Sequence, residues 1–204
     1  MTYDYAVLFA SIVAAVSESG SITKRMLRLI EYCEAQLPHE DWSRMRQIDY
    51  AADSHRLDRW LATSFAEANP SASFRGLWFG IDNPIVRGQS TADIYLCAST
   101  KFEPWSLDWA VAAQFYPKSR YLNSKVLTAV YRLAYRSANA LGNAAEYPLC
   151  LAYGAMVACE ALESGRLSGP FANLLGAAAG FDSGDLLFLG SFSDGTFRVM
   201  PEAG

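Results

Sequence analysis

Four aspartates are the residues whose type and placement come closest to chemistry. Asp182 and Asp185 flank Ser183-Gly184 in a short loop, while Asp82 closes one alternating apolar stretch and Asp93 opens another. Carboxylates gathered at strand ends can hold a hard cation or divide acid and base roles in hydrolysis. The same aspartates also suit turns. Asp82 precedes Asn83-Pro84, and glycines on both sides of Asp182 favour an Asx-turn there. The structural role is preferred, and neither a catalytic residue nor a metal ligand is assigned.

Other catalytic arrangements have less behind them. His39 follows Pro38 in a loop and His55 stands beside Asp53 at a helix start; the chain has no further histidine. Gly88-Gln89-Ser90 and Gly190-Ser191 lack the second half of a nucleophile elbow. Neither form of phosphate-binding glycine loop is present, and no cofactor is expected. Cys33, Cys97, Cys150 and Cys159 have no paired spacing and sit in apolar stretches, as small buried hydrophobes do in a reducing compartment.

Recognition has a better candidate. Phe102-Glu103-Pro104-Trp105-Ser106-Leu107-Asp108-Trp109 places two tryptophans, a proline and two acids in eight residues. Such a rigid amphipathic loop can anchor an interface. Alternatively, both tryptophans cover a sheet as lids of the core. Glu103, Trp105 and Asp108, with Asp182 and Asp185, are the candidate partner-binding residues.

Charge narrows the partner. The chain of 204 residues has a net charge of −4, which argues against a nucleic acid. Between residues 139 and 197 six acids (Glu146, Glu160, Glu163, Asp182, Asp185, Asp194) face the single base Arg166. Half of all residues are hydrophobic and 19% are charged, a composition able to fill one substantial core. Only the tail 201–204 is expected to lack order.

The elements that must position these groups centre on residues 147–159, YPLCLAYGAMVAC, a stretch without a charge or a side-chain amide. A helix apolar on every side must be surrounded, and this one is shorter than the roughly 20 residues a membrane span needs. It is read as the core helix, starting at Pro148 or one turn earlier through an Asn143–Glu146 capping box. Apolar residues 6–16 follow Asp4 rather than a basic residue, so they form a helix and no signal peptide.

Residues 1–68 read as helical: 3–17, 21–36 and 54–68, with 42–50 either a separate short helix or joined to the third. Ser21 caps the second, whose inner stripe is Met26, Leu27, Leu29, Ile30 and Cys33, with Lys24, Arg25 and Arg28 outward. After residues 69–73 the period becomes two. Leu77, Phe79 and Ile81 alternate with Trp78 and Gly80, and a second strand runs over 93–98. Arg87-Gly88 signals a turn, and 109–115 suits either strand or helix. A helix is expected over 124–140, the core helix next, then a Gly/Ala-rich helix near 171–178. Asp194-Gly195 joins 186–192 and 196–200 as a C-terminal hairpin. The fold class is α+β: one domain over 1–204, helical over 1–68 and mixed over 74–200, with a small, mostly antiparallel sheet.

Three stretches, GLWFGID (76–82), GNAAEYPLCLAYGA (142–155) and GFDSGD (180–185), resemble the bacterial immunity proteins that accompany polymorphic or contact-delivered toxins. The resemblance covers mainly the second half and implies a stoichiometric protein partner, a toxin domain, met by an acidic or aromatic patch in the cytoplasm. The leading expectation is therefore a non-enzymatic inhibitor that caps a toxin's active site. A small carboxylate- or metal-dependent hydrolase using Asp82, Asp93, Asp182 and Asp185 is the first alternative. A structural subunit whose apolar helices complete an oligomer is the second.

Overall fold

The computed structural model describes residues 3–86, 89–165, 167–182 and 184–200, with the backbone alone for His55, Ile85, Val86 and Gln89. The Arg87-Gly88 turn, Arg166, Ser183 and the tail 201–204 lie outside the described residues. The N-terminal helices are α1 (Tyr5–Ser17), α2 (Ile22–Gln36), α3 (Trp42–Met45) and α4 (Ser54–Ala66). Ser21 caps α2 by accepting from the Lys24 N–H, and Asp4 caps α1 in the same way. Trp42–Met45 is a separate short helix.

One six-stranded sheet follows, in the order β5-β4-β1-β6-β7-β8. Its strands are β1 (Gly76–Asp82), β4 (Asp93–Ser99), β5 (Tyr121–Asn123), β6 (Gly176–Phe181), β7 (Leu186–Ser193) and β8 (Thr196–Val199). Two-residue strands β2 (Ile85–Val86) and β3 (Gln89–Ser90) pair beside it. Every neighbour pair in the large sheet is antiparallel except β1 and β6, which run parallel at its centre. Asp194 (φ 51°) and Gly195 (φ 73°) turn β7 into β8 with the two positive φ angles that a type I′ hairpin needs.

Strand β6 replaces the helix expected near residue 171; only a 3₁₀ turn, Gly169–Phe171, forms there. Its sequence GAAAGF has no hydropathy alternation, because a central strand is buried on both faces. Ala177 and Ala179 leave room for the core helix overhead, while Gly176 and Gly180 leave room for Phe102 and Trp78 on the other face. That helix, α7 (Asn143–Glu163), starts a turn before Pro148, but Asn143 is not its cap. Tyrosines hold Glu146 instead. It packs on α1, α2, α4, α6 (Lys125–Ala134), β1 and β6.

Helix α6 stops at Ala134 rather than continuing to 140. Tyr135 leaves the helical region, the Gly142 N–H closes on the Ala134 carbonyl at 2.7 Å, and Arg136 turns to the buried Asp41. Its start is fixed by Asp53. This fully buried carboxylate accepts from Ser124 Oγ at 2.6 Å and from the N–H groups of Lys125 and Val126. Arg25, expected outward, is buried. It donates to the Val16 carbonyl in the last turn of α1 at 3.0 Å and to Glu160 of α7, supplying a cation where a helix end and a carboxylate both need one.

The alternation of β1 and β4 divides two apolar layers. Leu77, Phe79, Ile81, Ile94, Leu96 and Ala98 enter the large core under α7. Trp78 and Cys97 face the other way, into a smaller cluster closed by Phe102, Leu107, Trp109 and Ala110. The lid of that outer layer is the aromatic loop with the short helix α5 (Asp108–Val111). Among the described residues no helix is long and apolar enough to cross a membrane.

Candidate functional site

The parallel pair sets up the site. Strands β1 and β6 end side by side, with Asp82 on the last residue of one and Asp182 directly after the other. Ligands of open sheets often meet the carboxyl ends of parallel strands. Here a cavity of about 340 Å³ opens at those ends, lined by Asp82, Asp182, Asp185, Glu146, Tyr131 and Tyr147.

Tyrosines hold most of these acids. The Tyr95 hydroxyl donates to Asp182 Oδ1 at 2.5 Å, and the Tyr147 hydroxyl donates to Asp185 Oδ2 at 2.5 Å. Tyr131 and Tyr135 both donate to Glu146. Burial first, then each carboxylate partner, raises the pKa of all four hydroxyls, so they stay protonated as donors. Asp82 differs. Burial first, then the charge of Asp182, and more weakly that of Asp93, raise its pKa above the ordinary 3.8. Asp93 lies opposite Asp82 in register and accepts from Asn123 at 2.8 Å. The arrangement places a carboxyl of raised pKa beside a carboxylate that accepts a side-chain hydrogen bond. Among the described residues, no group of three or more His, Cys, Asp or Glu is placed to hold a metal ion.

The aromatic loop splits its two tryptophans. Trp109 is a lid, 4% exposed, with its ring 5.1 Å from Phe102. Trp105 is 79% exposed, its ring tilted at 58° to that of Phe188 with the centroids 5.9 Å apart. Glu103 and Asp108 are exposed and line a second cavity of about 470 Å³ with Trp109 and Gln114. The four candidate acids thus stand in two groups, Glu103 and Asp108 at one cavity and Asp182 and Asp185 at the other, while Trp105 lines neither. A smaller groove lies between the loop and the turn, lined by Leu107 and Asp182 together.

The sequence reading missed further exposed apolar and aromatic residues. Val111 is 79% exposed on α5, and Tyr116 and Tyr121 are nearly half exposed. The Arg120 guanidinium lies 4.7 Å from the Tyr121 ring centre and 5.4 Å from that of Tyr116. The available signal was compositional, since residues 116–121 (YPKSRY) carry the tyrosine and arginine typical of interfaces. His39 takes a structural post: its Nδ1 accepts from the Asp41 N–H at 3.1 Å, leaving Nε2 to donate to the Asn139 carbonyl at 3.0 Å. The side chain of His55 lies outside the described residues.

No protein-family model, curated protein or solved structure matches the chain.

Proposed function

We propose that this chain is a non-enzymatic binding protein of the immunity type, which neutralises a toxin domain in the cytoplasm by covering its active site. The observation that carries this reading is Trp105. A tryptophan 79% exposed, set on a loop whose neighbouring tryptophan is a buried lid, keeps a large apolar surface in water at a fixed position. Trp, Tyr and Arg are the residues that dominate binding energy when a partner covers them. Glu103 and Asp108 are exposed on the same loop, and Asp182 and Asp185 are exposed at the β6–β7 turn. An acidic rim steers a basic partner, such as the cleft of a nuclease, and raises the association rate.

Co-expression tests the proposal. The product of the gene beside that of this chain, expressed alone in bacteria, should arrest growth, and this chain should restore it. A harmless neighbour with a metabolic activity would contradict the reading and favour the hydrolase.

A further inference from the structure

We infer that the groove between the aromatic loop and Asp182 receives one lysine or arginine side chain of the protein partner, with the aliphatic stem on its walls and the cation at Asp182. The inference rests on the binding-protein reading above and names the contact that such a partner makes.

The groove encloses about 120 Å³. Sites for small molecules and cofactors usually run from about 300 Å³ upward, so this one suits a single long side chain. Its walls are Leu107, Ala110, Val111, Cys97 and the rings of Tyr95 and Tyr116, while Asp182 is its one carboxylate. Apolar walls ending in one acid match the two halves of a lysine or arginine side chain, an aliphatic stem with a charged tip. Val111, 79% exposed at the rim, gains cover only from an occupant.

Asp182 is prepared for a cation. Trp78 Nε1 donates to the Tyr95 hydroxyl at 3.0 Å, and Tyr95 donates in turn to Asp182 Oδ1. This relay fixes the carboxylate from one side. The ring of Tyr95 lies flat across Gly80, where any Cβ would stand 2.0 Å from its carbons, so the relay cannot form unless residue 80 is glycine. Among the described residues, no Lys or Arg forms an ion pair with Asp182. Arg120, the cation at the rim, is engaged with the rings of Tyr116 and Tyr121 and donates to the Tyr121 hydroxyl at 2.9 Å. A partner's cation would also relieve the repulsion between Asp182 and Asp82. Charge-assisted hydrogen bonds of this kind are about twice as strong as neutral ones.

The test is selection of random twelve-residue peptides displayed on phage against the wild-type protein. The selected peptides should share one Lys or Arg at a fixed position. Their binding should fall tenfold or more on Asp182→Asn, and as far when that basic residue is replaced by norleucine, which keeps the stem and removes the charge. Tyr95→Phe, which keeps the wall and frees the carboxylate, should weaken them less. Separate peptides carrying Lys and Arg at that position establish which cation is preferred. Peptides with no fixed basic residue, or with undiminished binding to Asp182→Asn, overturn the inference; so does failure to select any peptide. Peptides lost on Trp105→Ala but not on Asp182→Asn overturn the groove contact alone and leave the binding-protein reading standing, which the co-expression experiment decides separately.

Discussion

Tyr95 joins the inside of this protein to its surface: its hydroxyl accepts from the buried Trp78 indole at 3.0 Å and donates to the exposed Asp182 at 2.5 Å. The surface carboxylate is thereby oriented by a group anchored in the outer apolar layer. Tyr95→Phe removes both bonds and leaves the Trp78 N–H buried without a partner. A loss of about 1–3 kcal/mol is expected, the cost of an unsatisfied buried donor. Thermal unfolding measures it, and the Trp78 indole resonance should move in the same variant. An unchanged melting temperature would mean that water replaces the hydroxyl.

Close packing over the sheet makes a second prediction. A Cβ at Gly154 would stand 2.9 Å from Ile81 Cδ1 and 3.2 Å from its Cγ1. Gly154→Leu should therefore destabilise by about 1–3 kcal/mol or more through overpacking. Gly154→Ala should cost less, because Ile81 can shift its terminal methyl. A leucine variant that melts like the wild type would remove α7 from the centre of the fold.

Asp82 supplies a pH dependence whose sign follows from its raised pKa. The folded protein binds this proton more readily than the unfolded chain does. Above the raised value Asp82 is charged in both states, and the fold carries the full repulsion and burial cost. Below the ordinary 3.8 it is neutral in both states and that cost vanishes. Asp82→Asn should therefore raise the melting temperature at pH 7, and the gain should disappear as the pH falls below 3.8. An equal gain at both pH values would show that repulsion from Asp182 is not its source.

What the sequence made legible follows from where a residue's role is local. Ser21, Asp194-Gly195 and the alternation of Leu77, Phe79 and Ile81 act within a few residues, and each reads correctly. Strand β6 does not, because Ala177, Ala178 and Ala179 carry no pattern and are defined by β1 and β7 on either side. Arg25 looks like a surface residue until Glu160, far along the chain, appears beside it. The acids of the candidate surface were visible as acids, and the tryptophans as alternatives between lid and anchor. Their tyrosine partners were not visible. Tyr95 and Asp182 are separated by 87 positions, and they meet because β1 pairs with β4 on one side and with β6 on the other.

The central claim is that Trp105 anchors a protein partner, and the dissociation rate of the complex tests it most directly. The measurement is surface-bound kinetics between this chain and the toxin domain proposed as its partner, at low and high salt. Trp105 is so exposed that Trp105→Ala should change the melting temperature little, by no more than about 0.5 kcal/mol of stability. Truncating an anchor costs about 2 kcal/mol or more, so the variant complex should dissociate about thirtyfold faster at either salt concentration. Asp182→Asn with Asp185→Asn should slow association at low salt, because rim charges are screened as salt rises. A folded Trp105→Ala protein whose complex lives as long as the wild-type complex would contradict the account.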